Sequence, residues 1–206
     1  MNAVLPAALS GFLLGATLII AIGAQNAFIL RMGLIRSHVF VLCLVCALSD
    51  ALLIALGVAG MGAAVSAHPL LLKAIALAGA IFLFAYAILS ARRAFRPEAL
   101  LPSQRQPMPL RAALAICLAL TWLNPHVYLD TVMLIGAFST AHAGDARLAF
   151  AIGAMAASFV WFFGLGYGAR LLAPLFARQL AWRVLDSFIA AVMAALSLSL
   201  LREVFA

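Results

Sequence analysis

Charged side chains are scarce in this sequence. They make up only 9% of the 206 residues, and none occurs before Arg31. A typical soluble domain carries about a quarter charged residues. Hydrophobic residues account for 67% of the chain, which is more apolar surface than a globular fold can hide from water. These proportions exclude a soluble protein and predict an integral membrane protein.

Several other signals are also missing. The apolar runs do not alternate with polar residues as the strands of a membrane barrel do, so the expected class is an all-α membrane protein. No basic region precedes the first apolar run, so we expect no cleaved signal peptide. Only three cysteines occur, Cys43, Cys46 and Cys117. All lie in apolar runs, so we interpret them as small packing residues despite one Cys-x-x-Cys spacing.

The apolar runs predict six transmembrane helices, since each crossing needs about 20 residues. These runs cover residues 5–30, 39–65, 70–90, 112–138, 148–172 and 185–201. The main polar segment, residues 91–111, carries five arginines and separates two halves. We expect a single transmembrane domain over residues 1–206, with a first repeat at 1–95, a cytoplasmic loop at 91–111 and a second repeat at 110–206.

The basic residues are distributed unevenly between the two predicted sides of the membrane. The turn after the first span, the middle loop and the turn after the fifth span together hold ten arginines, against three Lys or Arg on the other side. Basic loops stay in the cytoplasm, so both termini are predicted to lie outside. We therefore interpret the net charge of +7 as a topology signal and expect no nucleic-acid partner.

Two polar interruptions break the first and fourth spans. One is Gly23-Ala-Gln25-Asn26, and the other is Asn124-Pro125. Glycine permits an unwound backbone, and proline removes a helix donor. Non-helical backbone at membrane depth lines a cavity or is packed by protein. Such breaks in corresponding halves indicate the binding site of a transporter.

The two halves resemble each other in order and number of spans. Ser49 corresponds to Ser158, and Asn26 corresponds to Asn124. Three spans per half is an odd number, so two like halves must lie in opposite orientations across the membrane. The predicted fold is therefore six transmembrane helices arranged as two inverted three-helix repeats.

Two aspartates lie within the apolar spans. Asp50 is near the middle of the second span, where an ionised carboxylate costs about 2.5–3.5 kcal/mol. It either pairs with an arginine of another helix or forms a cation or proton site. Asp130 is either a wet carboxylate near the outer interface or the second half's carboxylate. His126 shares its helix face, whereas Tyr128 points elsewhere. Asp186 is expected to form an interfacial pair with its neighbour Arg183.

The remaining polar candidates lie at the breaks and in the fifth span. Gln25 and Asn26 either form ordinary interhelical hydrogen bonds or contact a substrate. A restarted half-helix offers free N–H groups that attract a carboxylate, and the aspartates attract a cation. Trp161, one turn after Ser158, is a packing residue or a cation–π partner. This combination suits a zwitterion with a positively charged side chain.

Four ordered motifs resemble the LysE family, bacterial inner-membrane exporters of basic amino acids. They are Gly23-Ala-Gln-Asn-Ala-Phe-Ile-Leu-Arg-Met-Gly33, Cys46-Ala-Leu-Ser-Asp50, Thr121-Trp-Leu-Asn-Pro-His-Val-Tyr-Leu-Asp130 and Ser158-Phe-Val-Trp161. The resemblance covers the whole chain. One departure is Ala24, where the family commonly has proline, so the first break depends on Gly23 and the polar pair after it.

The resemblance implies export of L-lysine or L-arginine across the bacterial inner membrane by alternating access, driven by the proton gradient or the membrane potential. It implies that two carboxylates bind the substrate's cationic end or a coupled proton, and that the amides hold its backbone groups. The expected site residues are Gln25, Asn26, Asp50, Asn124, Asp130 and Trp161, with Ser49, His126, Tyr128 and Ser158 as further candidates. The bilayer is the other expected partner.

Other functions remain open at this point. The same fold would serve export of a neutral amino acid or a divalent metal cation. His126 with Asp130 provides two ligands, but no third ligand is evident nearby in the sequence. An intramembrane enzyme is disfavoured because no serine–histidine or metalloprotease motif occurs. We therefore expect neither an enzyme nor a cofactor or bound metal, and the sequence leaves a homo-oligomer open.

Overall fold

The computed structural model describes residues 3–20, 23–62, 67–95 and 108–205, and this part of the chain is helical with short connections. Its helices are α1 (Val4–Ile20), α2 (Ala24–Leu34), α3 (Val39–Leu56), α4 (Pro69–Phe95), α5 (Leu110–Trp122), α6 (Pro125–Ser139), α7 (Asp145–Gly168) and α8 (Gln179–Phe205). The all-α prediction is confirmed for the described residues. Most of the predicted cytoplasmic loop, residues 96–107, lies outside them.

Four helices are individually long and apolar enough to cross a membrane: α3 with its π-helical extension Gly57–Met61, α4, α7 and α8. Two further candidates are bent pairs. The axes of α1 and α2 differ by 81°, and those of α5 and α6 by 60°. The described chain therefore has four spans, or up to six if each bent pair is one span.

The first break lies where the sequence predicted it, with alanine and no proline at position 24. Gly23 precedes α2 with an extended backbone (φ −117°, ψ 172°). Nδ2 of Asn26 donates a hydrogen bond to the carbonyl of Ile19 at the end of α1, at 2.8 Å. The last carbonyls of a helix lack intrahelical partners. Asn26 supplies the hydrogen-bond donor for one of these carbonyls, and this bond links the two half-helices.

The second break is closed in a similar way. Asn124 caps α6 by accepting a hydrogen bond from the backbone N–H of His126 at 3.2 Å, and Pro125 occupies the first helical position. Oη of Tyr128 donates to the carbonyl of Trp122, the last residue of α5, at 2.9 Å. At both breaks, a side chain of the second half-helix satisfies a carbonyl of the first.

Helices α1 and α2 follow α7 in the same direction. Gly11 of α1 lies against the backbone of Phe150 near the start of α7, and Gly33 of α2 lies against Gly166 near its end. A Cβ at either glycine would overlap the facing carbonyl. The bent pair therefore runs alongside all of α7, which at about 1.5 Å per residue is roughly as long as the hydrocarbon core is thick.

Helix α3 lies between α7 and the second bent pair. It runs parallel to α5 and α6: Nε1 of Trp122 donates to Oγ of Ser49 at 3.3 Å, and further along Gly57 packs against the backbone of Val132. Helix α7 runs antiparallel to α3. We call α1, α2, α3, α5, α6 and α7 the main bundle.

Helices α4 and α8 form a separate antiparallel pair, which we call the arm. Oγ of Ser197 donates to the carbonyl of Ala80 at 2.8 Å, and nearer one end Arg93 meets Asp186. The arm contacts the main bundle through α2, α5 and the start of α6. Asp186 does not form the predicted interfacial pair with Arg183, because it is fully buried and bonds Arg31 and Arg93 instead.

Candidate functional site

The two helix breaks meet at one cavity of about 170 Å³ in the main bundle, and the arm contributes Leu196 to its wall. Six of the predicted site residues line it: Gln25, Asn26, Asp50, Asn124, His126 and Asp130. They come from α2, α3 and α6 and are far apart in sequence. Ligand pockets for drug-sized molecules are larger, at roughly 300–1,000 Å³. This cavity therefore suits a small solute.

Asp50 is the most deeply buried acid of the cavity wall, with 4% of its surface exposed. Oγ of Ser158 on α7 donates a hydrogen bond to its Oδ2 at 2.7 Å. Among the described residues, none forms an ion pair with Asp50. The described structure therefore does not support the hypothesis that Asp50 forms a structural pair with an arginine. A carboxylate without a cation beside a cavity can bind a cationic group or a proton.

Asp130 lies across the cavity on α6, one helical turn after His126. Both side chains are partly exposed within the described structure. As expected for two residues on one helix face, both line the cavity, whereas Tyr128 is not part of its wall and bonds the carbonyl of Trp122. The cavity thus brings one carboxylate from each half of the chain together.

Amide groups complete the polar part of the wall. Nε2 of Gln25 is buried and makes no hydrogen bond to the described residues. Asn26 uses both ends of its amide: Nδ2 bonds the carbonyl of Ile19, and Oδ1 accepts from Nε1 of Trp161 at 3.1 Å. Asn26 is therefore held in place, whereas the amide nitrogen of Gln25 is covered by protein in this arrangement.

The other four candidates do not line the cavity. Trp161 faces an apolar groove between α1 and α7 and reaches the site only through Asn26. Ser158 supports Asp50, Ser49 bonds Trp122, and Tyr128 bonds the backbone at the second break. The placement of Trp161 argues against its proposed cation–π contact with substrate. All four hold other groups in position.

Sequence reasoning missed the apolar part of the wall. Phe162 of α7 and Leu196 of α8 line the cavity, together with Thr131. Nothing distinguishes these residues in the sequence, because phenylalanine and leucine fill every span. A residue of this kind becomes part of a site only through the packing of helices that are distant in sequence.

The structure gives no support to a metal site. Within the described ranges, no three or more His, Cys, Asp or Glu side chains lie close enough to hold a metal ion. Divalent cations need several such ligands. The hypothesis of divalent-metal export therefore lacks a donor set.

Two bent helix pairs that meet at a small cavity with carboxylates and amides in its wall are typical of solute transporters. Relatives of this chain narrow this class. The chain belongs to the LysE-type translocator family, which matches residues 16–204. Members of this family are transport proteins rather than enzymes.

Similar proteins occur in several bacteria. Rv0488 of Mycobacterium tuberculosis, named as a candidate amino-acid transporter, is 49% identical over 177 residues, covering 86% of this chain and 88% of its own. The arginine exporter ArgO of Pectobacterium carotovorum is 42% identical over 196 residues, covering 95% and 96%. ArgO of Serratia proteamaculans is 39% identical over 193 residues, covering 93% and 94%. No solved structure matches the chain.

Proposed function

We propose that this protein exports L-arginine, L-lysine or both across the bacterial inner membrane. The observation that carries the proposal is the pair of carboxylates, Asp50 and Asp130, in the wall of one small cavity, where no described arginine or lysine pairs with either. Two relatives that cover nearly the whole chain are named arginine exporters. A neutral side chain would leave the buried carboxylate of Asp50 without a counter-charge.

The cavity offers separate partners for the two ends of such a substrate. Asp50 and Asp130 bind the guanidinium or ammonium group and the α-amino group. The N-terminus of α2 binds the α-carboxylate, and Gln25 turns its side-chain amide towards it, since a helix N-terminus attracts anions. Asn124 uses its own side chain to cap α6, so its contribution is to fix the second break.

Export of a cation needs an energy source. Moving one positive charge outward against the membrane potential costs about 2.3 kcal/mol per 100 mV. A carboxylate that binds either a proton or the substrate couples the two movements, because occupation by one excludes the other. We assign this exchange to Asp50, which is more buried than Asp130 and is oriented by Ser158.

We infer that the spans form two inverted repeats that give alternating access. The directions of the helix pairs support this. The first bent pair runs parallel to α7, and the second runs parallel to α3. A two-fold axis in the membrane plane exchanges spans one and four and spans two and five, so it would convert one of these pairs into the other. With each bent pair as one span, the count is six, and the arginine-rich ends face the cytoplasm.

The test is efflux from cells that lack their own basic amino-acid exporters. Cells fed an arginine–alanine or lysine–alanine dipeptide accumulate the basic amino acid and release it when the protein is active. Asp50→Asn is expected to abolish release at wild-type membrane abundance. The matched control is Asp145→Asn, an exposed acid at the start of α7. Full release by Asp50→Asn would contradict the site, and no release by the wild type would contradict the substrate.

A further inference from the structure

Asp186 is a buried charge that the substrate site does not use. Its side chain, at the start of α8, is 0% exposed. Two arginines of other helices meet the same oxygen: Nη1 of Arg31 lies 2.5 Å from Oδ1, and Nε of Arg93 lies 3.4 Å from it. The arginine side chains are only 10% and 26% exposed. The cluster is therefore largely shielded from solvent.

The three residues belong to the two different parts of the molecule. Arg31 is on α2, the short helix that also carries Gln25 and Asn26, and so it belongs to the main bundle. Arg93 and Asp186 belong to the arm. The substrate cavity lies within the main bundle on the side that faces the arm, and Leu196 of the arm completes its wall. The Arg31–Asp186 pair therefore crosses the boundary between the two parts, whereas the Arg93–Asp186 pair lies within the arm.

The cluster sits at the arginine-rich end of the helices. Arg31 is in the last turn of α2 and Arg93 in the last turn of α4. Further contacts fix Arg93 on the arm: Nη2 donates to Oγ of Ser90 at 2.7 Å, and the guanidinium lies 5.5 Å from the ring centre of Tyr86. The arm thus presents an oriented Asp–Arg pair to α2.

Stability alone does not account for such a cluster. Replacing a buried ion pair by apolar residues is often neutral or stabilising, because the desolvation of both charges offsets their attraction. The apolar packing of α4 on α8 would hold the arm together without it. An ion pair across a boundary between two parts instead gives a contact that has distinct formed and broken states.

We propose that Arg31, Asp186 and Arg93 form the gate of the transporter at its arginine-rich end. With the bridge formed, α2 is held against the arm and the cavity is closed on that side. Substrate reaches the cavity from that side only when the bridge opens and α2 separates from the arm. The gate rests on the proposed function in one respect, that this end faces the cytoplasm.

The test measures access to the cavity in the absence of any substrate. A reporter cysteine, Leu196→Cys, is placed in a chain whose Cys43, Cys46 and Cys117 are replaced by alanine. Its labelling rate with a membrane-impermeant maleimide is measured in right-side-out and in inverted vesicles. Asp186→Asn is expected to raise the rate about tenfold from the arginine-rich side and not from the other, because it shifts the gate towards its open state.

Two further variants make the result decisive. Arg31→Gln removes the other partner of the pair that crosses the boundary and leaves Asp186 paired with Arg93 inside the arm. It should raise the rate on the same side by a similar factor. It also decides the question if Asp186→Asn does not accumulate in membranes. Asp145→Asn, outside the cluster, should leave the rate unchanged. Unchanged labelling in Arg31→Gln and in any Asp186→Asn that accumulates, or an equal rise on both sides, would overturn the gate.

The outcome is separable from the substrate assignment. Asp186→Asn could raise the labelling rate on one side only while the protein transports neither arginine nor lysine. That result would support the gate and reject the proposed substrates. Transport of both amino acids, with a labelling rate that does not change when the cluster is altered, would support the substrates and reject the gate.

Discussion

At the scale of single residues, the polar candidates from the sequence have one of two roles. Some line the cavity, and others make hydrogen bonds that orient the residues lining it. Asp50, Asp130 and Gln25 face it, whereas Ser158 and Trp161 bond to residues that do. A polar residue in an apolar span is costly, and this cost is why the sequence already pointed to all five. The cost does not reveal which of the two roles a residue has.

Removing the hydroxyl of Ser158 should weaken transport without removing the protein. Ser158→Ala takes a donor from Asp50, and a hydrogen bond to a charged group is worth about 1.5–3 kcal/mol. We expect initial rates of arginine transport at low substrate to fall about tenfold or more. Ser197→Ala is the control, since Ser197 makes a buried bond of the same type within the arm. Equal loss in both variants would indicate a general packing effect.

The indole of Trp161 gives a second prediction at this scale. Trp161→Phe keeps the ring but loses the bond from Nε1 to Asn26. A neutral hydrogen bond is worth about 1 kcal/mol, so transport at low substrate should fall about fivefold. Trp182→Phe loses a similar bond to the carbonyl of Phe176, away from the cavity. Transport by Trp182→Phe should stay near the wild-type rate, and a larger loss there than in Trp161→Phe would contradict the assigned role.

At the scale of elements, the helix breaks could be predicted from sequence. The hydrogen bonds that link the two half-helices across each break could not. Glycine, proline and adjacent amides in an apolar run signal a break. The bonds from Asn26 and Tyr128 back across the breaks depend on the bend between the two half-helices. The pairing of Asp186 was predicted wrongly for a related reason. Its nearest cation in sequence is Arg183, but folding brings Arg31 and Arg93 to it.

The contact between α3 and α6 requires glycine at position 57. A Cβ there would lie 2.7 Å from the carbonyl oxygen of Thr131 and 2.6 Å from that of Val132. Gly57→Ala should therefore lower the unfolding temperature in detergent, with an overpacking cost of about 1–3 kcal/mol. A Cβ at Gly164 would meet no atom of the described chain within 4 Å. Gly164→Ala should be neutral, and the reverse order would contradict this packing.

At the scale of the whole molecule, composition predicted the class of protein and the number of apolar runs. It did not predict the division into a main bundle and an arm, because the faces of these helices are too uniformly apolar to specify neighbours. The close glycine contacts and the few interhelical polar bonds carry that information. Their partners become visible only in the folded chain.

The proposed topology predicts the same location for both ends of the chain. With six spans and the arginine-rich ends in the cytoplasm, tags at the N-terminus and the C-terminus should both be cleaved by a protease added outside spheroplasts. A tag in the middle loop should be cleaved only in inverted vesicles. Protection of either terminal tag in spheroplasts would contradict the proposed orientation.

The most direct test of the central claim is counterflow in proteoliposomes loaded with unlabelled arginine. Labelled arginine and lysine should accumulate transiently inside, whereas citrulline and norleucine should not. These two solutes keep the α-amino and carboxylate groups and approximate the side-chain shape, but lack the side-chain charge that Asp50 and Asp130 are proposed to bind. Accumulation of citrulline or norleucine at the rate of the basic amino acids, or none of arginine and lysine, would contradict the claim.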